Sequence, residues 1–345
     1  MNKTTLLSLL LVASITACAC QRAQNGSRNE TENNTANSTG TTEPSRSPSP
    51  FSADSAYQHI QAQVNFGPRV PNTPSHVACG NYLYSKLQEY GLQLTEQRTT
   101  LKAYDETPLQ IRNIIASYKP EATKRVLLFA HWDTRPISDH DPNHTNYNKP
   151  IMGADDGGSG TGVLLEIARL LQQQPLQNIG VDIALFDAED YGAPEAANYT
   201  GDSEKTWALG TQYWTKNPHT PNYRAEVGIL LDMVGARGAK FYREYYSQEY
   251  AGKYASQIWS IAHQLGHQDF FINDQGGAIT DDHIFVIRGL GIPCVDILNY
   301  DPASATGFGK HWHTQQDDMD IIDKETLRAA GETVWQVLNE WDKNL

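Results

Sequence analysis

Four short apolar runs punctuate the chain from residue 125 onward: "RVLLFA" (125–130), "VDIALF" (181–186), "VGILLDMVG" (227–235) and "IPCVDIL" (292–298). The first two hardly alternate with polar positions, the signature of strands buried on both faces. Helical spacing fills the gaps: "TGVLLEIARLLQQQ" (161–174) follows a glycine-rich turn, Trp207 to Thr215 and Gln248 to Leu265 have a helical period, and Lys324 to Asp342 forms a closing helix behind an Asp323 cap. Upstream, Asp54 to Val64 and Ser75 to Tyr90 read as helices, and Arg98 to Leu101 and Gln110 to Tyr118 as strands. Alternating strands and helices predict one α/β domain over residues 53–345, a mostly parallel central sheet with helices on both faces. In such sheets ligands sit outside the carboxyl ends of the strands.

The N-terminal part follows a different pattern. Lys3, the apolar stretch Leu6 to Ile15 and the small Ala17 read as an export signal over residues 1–17, too short to span a bilayer. "ITAC" (15–18) resembles the lipobox of bacterial lipoproteins, which implies acylation at Cys18, with Cys20 a weaker alternative; an ordinary cleaved signal shares the same small residues. Residues 21–51 are Asn, Thr, Ser, Glu, Pro and Gly with little that is apolar, and cannot repay the entropy of ordering. Residues 18–52 are therefore expected to tether an exported, membrane-anchored lipoprotein facing the periplasm or the cell surface. The cysteines left in the body, Cys79 and Cys294, fit equally a bond formed after export or two buried thiols.

Composition narrows the partners. With 39% hydrophobic residues the chain can fill a sizeable core, which excludes disorder throughout. A formal charge of -13, from 27 basic and 40 acidic residues, repels nucleic acid and offers no basic patch to an anionic bilayer. Contact with a membrane is expected through the lipid anchor only.

Acids gather where the apolar runs end. His131 and Asp133 follow the first run, Glu189 and Asp190 the second, and Asp232 stands near the end of the third; Asp155 and Asp156 precede the helix, and "HWHT" (311–314) lies beyond the last strand. Nothing in strand periodicity asks for charge there. Carboxylates and imidazoles converging on one cleft point to a divalent cation, zinc for a mixed oxygen and nitrogen set, beside a free carboxylate that carries protons. On an extended chain Glu189 and Asp190 would point in opposite directions, one to the metal and one to the substrate. Taken singly the pieces are weaker: His131 and Asp133 also read as a satisfied core pair, Asp232 as a turn residue, and "GADDGGSG" (153–160) as a glycine turn, since it lacks the Lys of a phosphate loop.

The series "AHWDT", "GADDGGSGTGVLLEIAR", "LFDAEDYG", "LLDMVGA", "TDDHIFVIRGLGIP" and "HWHT" resembles the zinc aminopeptidase superfamily and, within it, the glutaminyl-peptide cyclotransferases of the animal type, also found in bacteria. The likeness spans residues 55–345, and Trp312 before His313 together with "TDDH" behind Gly276 and Gly277 favours the cyclase branch. It implies one zinc on Asp156, Asp190 and His313, Glu189 as general acid and base, Asp232 and Asp281 as a proton-sharing pair, and Ile279 and Trp312 as pocket walls. Asp282 is the alternative to Asp281. Position 190 departs from the pattern, with Asp where the animal enzymes commonly carry Glu, an arm shorter by about 1.5 Å. A second pocket tryptophan has no match at 191–195; Trp207, Trp214 and Trp132 are candidates to replace it, while Trp335 and Trp341 on the closing helix read as packing.

The activity so implied is closure of an N-terminal glutamine of peptides or proteins to pyroglutamate with release of ammonia. The nearest rival is a two-zinc aminopeptidase, with His131, Asp156 and Asp232 as the second metal site and Glu189 activating water. A lipid-anchored binding protein with a dead metal site is a third reading, which an intact proton carrier disfavours.

Overall fold

The computed structural model describes residues 49–345. The expected signal, lipidation site Cys18 and most of the tether lie outside the described residues. The strands are β1 (Gln93–Lys102), β2 (Pro108–Tyr118), β3 (Arg125–His131), β4 (Gly180–Phe186), β5 (Val227–Asp232), β6 (Phe241–Arg243), β7 (Phe271–Gln275) and β8 (Cys294–Leu298). The helices are α1 (Ala53–Val64), α2 (Pro74–Glu89), α3 (Gly158–Gln173), α4 (Leu209–Lys216), α5 (Tyr245–Gln264), α6 (Asp282–Leu290) and α7 (Lys324–Asn344).

Six strands form the main sheet in the order β1-β2-β4-β3-β5-β8. The ladders β4/β3, β3/β5 and β5/β8 are parallel, and β1 and β2 extend the sheet as an antiparallel edge. The apolar runs are explained by alternation across this sheet. Val126, Leu128 and Ala130 of β3 join one core with Val181, Ile183 and Leu185 of β4, while Leu127, Phe129, Ala184 and Phe186 join a second core on the opposite face. Helices α1, α2, α3, α5 and α7 supply residues to the first core, and α4 and α6 close the second through Trp214, Ile284, Val286 and Ile287. Truncating a side chain such as Phe186 in this packing would cost roughly 3–5 kcal/mol.

Several expectations need correction. β1 runs from Gln93, well before Arg98, because backbone pairing with β2 holds a polar edge strand that has no hydrophobic signal. The third run stops being a strand at Asp232, since Met233 takes a left-handed backbone (φ 48). Trp207 precedes α4 instead of opening it. Asp323 does sit at the cap of α7, but its carboxylate takes the hydroxyl of Thr326 at 3.3 Å and no backbone amide. Helix α6 and the small parallel pair β6/β7 were not anticipated as elements. Cys79 and Cys294 are separate buried thiols, one in each core. Among the described residues no helix is long and apolar enough to cross a membrane.

The topology places the site. From β3 the chain crosses by α3 on one face to β4, then by α4 on the other face to β5 on the far side of β3. A crevice opens at the carboxyl ends where these connections part.

Candidate active site

Three backbone turns aim side chains into that crevice. β4 ends at Phe186 and the chain bends through Ala188, which is left-handed (φ 54), so Glu189 and Asp190 lie in a bend and not on an extended strand as expected; both face the same pocket. The carboxylate of Asp133 fixes this bend, accepting the amide N–H of Glu189 at 3.0 Å and of Asp190 at 3.2 Å. Gly157 (φ 80) turns the loop behind Asp156; a Cβ there would come within 2.6 Å of the Asp133 carbonyl oxygen. His313 is itself left-handed (φ 54), and its imidazole lies face to face with the adjacent Trp312, ring centroids 3.7 Å apart. Left-handed backbone at non-glycine residues costs about 1–3 kcal/mol each and persists where the surroundings over-determine it.

The sites predicted from sequence come together. Ligand atoms of Asp156, Asp190 and His313 lie within 4.8 Å of one another, all three residues buried. His313 Nε2 is 3.1 Å from Asp190 Oδ1 and 3.8 Å from Asp156 Oδ2. The second oxygens of Asp156 and Asp190 are buried without a hydrogen-bond partner, which fits a cation between them. Two carboxylates and an imidazole suit zinc. The other ring nitrogen of His313, Nδ1, lies 3.2 Å from Asp139 Oδ1. The shorter Asp190 therefore still reaches the triad.

A neighbouring set has a similar geometry. His131, Asp156 and Asp232 also lie within metal-binding range of one another. His131 Nε2 sits 3.0 Å from Asp156 Oδ1 and 3.2 Å from Asp232 Oδ1, as close as His313 Nε2 lies to Asp190 Oδ1.

Glu189, Asp232, Asp281, Ile279 and Trp312 line one pocket of about 360 Å³ with the triad. Asp281, not Asp282, faces it; Asp281 caps α6 and accepts the Asp282 amide, and Asp282 is buried behind. Trp207 is the missing pocket tryptophan. Trp214 is buried in the second core and Trp132 is stacked on His76 at 4.3 Å. Gly192 makes room for the Trp207 indole, since a Cβ at 192 would lie 2.1 Å from its ring. Trp207 lies parallel to the His313 ring at 6.1 Å, and the Arg135 guanidinium sits 4.7 Å from its centroid.

Electrostatics follow from burial. Desolvation holds the Glu189 carboxyl well above its ordinary range, helped by the charges of Asp281, Asp190 and Asp282 against the pull of His131. Asp232 is raised well above the usual value by burial and the Asp281 charge, in spite of the His131 hydrogen bond. Burial also raises Asp281. Asp190 is pushed up to about 6 by burial and the Asp156 charge. For Asp156 burial is outweighed by the His131 hydrogen bond and the charges of His131 and His313, and its carboxyl is lowered.

Of the supporting residues, Arg135, Asp139 and Asp317 escaped the sequence reading. Asp317 accepts the amides of Asp155 (2.7 Å) and Asp156 (3.1 Å); Arg135 donates to the Asp190 carbonyl (2.9 Å) and pairs with Asp139; His311 joins Asp155 Oδ2 at 2.9 Å. Asp139 and Asp317 stand in polar loops with no periodicity to mark them. Only the "HWHT" and "AHWDT" motifs brought His311 and Asp133 into view.

An α/β sheet with acidic and imidazole side chains gathered at its carboxyl edge, able to hold a metal ion, marks the exopeptidase-like class of metal-dependent enzymes. The chain matches the family described as Peptidase family M28 over residues 113–338, and it belongs to that family. It is similar to the Porphyromonas gingivalis glutaminyl cyclase structure, with 55% identity and a TM-score of 0.82 over 85% of this chain and 100% of that one. A structure described as a Zn-dependent exopeptidase from Parabacteroides distasonis is equally similar, with 56% identity and a TM-score of 0.82 over 85% and 99%. Aminopeptidase YwaD of Bacillus subtilis is 30% identical over 262 residues, 73% of this chain and half the length of that protein.

Proposed function

We propose that this chain is a zinc-dependent glutaminyl-peptide cyclotransferase, converting the N-terminal glutamine of peptides and proteins to pyroglutamate with release of ammonia. The observation that carries this reading is 55% identity across the whole of a glutaminyl cyclase chain, with Glu189, Trp207 and Trp312 lining one pocket with the donor triad. Asp156 and Asp190 each keep one buried carboxylate oxygen without a hydrogen-bond partner beside His313, which supports an ion at that triad. One zinc per chain, at this triad, belongs to the proposal. Glutaminyl cyclase structures at 52–55% identity support the same activity, while a structure described as a leucine aminopeptidase precursor from Bacteroides thetaiotaomicron, 51% identical over 98% of that chain, keeps the aminopeptidase as the rival reading.

Zinc held by Asp156, Asp190 and His313 would supply electrophilic pull on the oxygen of the substrate's side-chain amide. The protein's own groups do the rest. Trp207, Trp312 and Ile279 enclose the glutamine side chain and hold it in its ring-closing conformer, so that the loss of torsional freedom is met by binding. Glu189 takes a proton from the α-amine; the amine nitrogen bonds to the side-chain carbonyl carbon, the bond from that carbon to the amide nitrogen breaks, and Glu189 returns the proton to the leaving nitrogen, which departs as ammonia. No water is consumed. A carboxyl raised by burial suits a group that must both accept and give a proton near neutrality. Asp232 and Asp281, both raised by burial, line the pocket beside it.

The deciding experiment weighs the products from a glutamine-initiated peptide and counts the metal. Loss of ammonia from an intact peptide with one zinc per chain supports the cyclase; loss of the first residue, or two tightly held zincs, supports a two-zinc aminopeptidase instead. We further propose, from residues 1–18 alone, export and lipid anchoring at Cys18.

A further inference from the structure

The pocket for the first residue does not end at its tryptophans. A groove of about 630 Å³ shares Ser203, Trp207, Thr306, Trp312 and His313 with it, so the two cavities meet along one wall. A peptide whose first side chain fills the inner pocket has to carry its remaining residues away along some surface, and this groove is continuous with the reacting end.

Its chemistry is one-sided. Neither lining contains a Lys or Arg. Of the acids, Asp139 is neutralised by Arg135 and His313, and Glu204 is tied to Arg288. Glu195 is exposed in the groove, and among the described residues it makes no ion pair. Tyr199, 42% exposed, stands on the same wall and offers an aromatic face to the stem of a long side chain. The Arg135 guanidinium, buried and committed to Asp139, is not free to receive a carboxylate.

We propose that this groove binds the second and third residues of the substrate and selects Lys or Arg there over Asp or Glu, with Glu195 as the selecting carboxylate. The proposal deepens the cyclase reading and rests on it for the position of the first residue. An exposed pair of this kind discriminates modestly and is weakened by salt.

The test compares Gln-Lys-Ala, Gln-Ala-Ala and Gln-Glu-Ala amides on the holoenzyme at low ionic strength. The expected kcat/KM falls in that order, the Lys peptide exceeding the Glu peptide by about fivefold, the scale of one exposed ion pair. Glu195→Gln should bring the rates together, Glu195→Lys should invert the order, and added salt should flatten it. Rates within about twofold of one another in the wild type, or an order unmoved by Glu195→Gln, overturn the proposal. Titrating tryptophan fluorescence with the same peptides separates this failure from failure of the activity. If no peptide releases ammonia, the cyclase reading falls, yet affinities ordered Lys over Glu and equalised by Glu195→Gln still support the groove. Equal affinities overturn it.

Discussion

Asp133 and Asp317, in two different loops, make the same contact: each directs both carboxylate oxygens at two consecutive backbone amides, Asp133 at Glu189 and Asp190, Asp317 at Asp155 and Asp156. In each case the second amide belongs to a proposed zinc ligand. Bonding of an amide to a carboxylate is stronger than to a neutral acceptor, so the two residues set the positions of the loops that carry the donor atoms. Replacing either by Asn turns one acceptor oxygen into an amide donor facing an N–H. The expected result is a zinc affinity lower by roughly 10–100-fold, read by competition with a chelating dye. Unchanged affinity in both variants would remove this role.

Glu189→Gln keeps the size of the side chain and discards its proton chemistry. Zinc content should be retained, because Glu189 lies outside the triad. Turnover should fall by about 10²–10⁴-fold, measured as ammonia release. Undiminished cyclisation would reassign the proton carrier.

Trp207→Leu removes an indole that the Arg135 guanidinium covers and that flanks His313. Loss of one aromatic wall is expected to raise KM by about tenfold, with a smaller change in kcat, since the group positions substrate without exchanging protons. A change confined to kcat would contradict the placement.

His59 offers a pH test away from the site. Burial, with the Lys86 and Arg169 charges and against Glu166, brings its imidazole down to about 4 from 6.5, and its two nitrogens face the Tyr82 and Tyr90 hydroxyls at 2.8 and 3.2 Å. The folded value lies below the unfolded one, so between them the unfolded chain binds more protons; the stability His59 contributes is present above about pH 6.5 and is lost as pH falls toward about 4. The full window is worth ~3 kcal/mol, about 2 of it between pH 7 and pH 5. Urea denaturation at those pH values should show a shallower loss in His59→Gln than in the wild type.

Cys18→Ser tests the anchor. The full-length variant is expected in the soluble fraction of its host while the wild type sediments with membranes, since stable anchoring depends on acyl chains. Equal membrane retention of both would count against lipidation at Cys18.

What the sequence disclosed follows from burial. β3 and β4 were legible because both faces are apolar, and Glu189, Asp190 and Asp232 because charge at the end of such a run has no packing explanation. Pairing Asp156 and Asp190 with His313 needed the resemblance, since residues so far apart share no periodicity. Asp139 and Asp317 were invisible because they act on groups brought close only by the fold. β6 and β7 were missed because β7 is largely exposed and their register is irregular. Among the candidate tryptophans only coordinates could separate Trp207, at the pocket, from Trp214 and Trp132, in packed interiors.

Under the proposed assignment, the left-handed backbone at His313 would tie ion retention to substrate choice. Because that turn folds the imidazole flat against its neighbour's indole, any replacement at 312 also alters the surface on which a proposed metal donor rests. A lineage, or an engineer, seeking a different first residue by changing Trp312 would inherit a looser grip on zinc in the same step, so new selectivity is more accessible from the other wall, at Ile279.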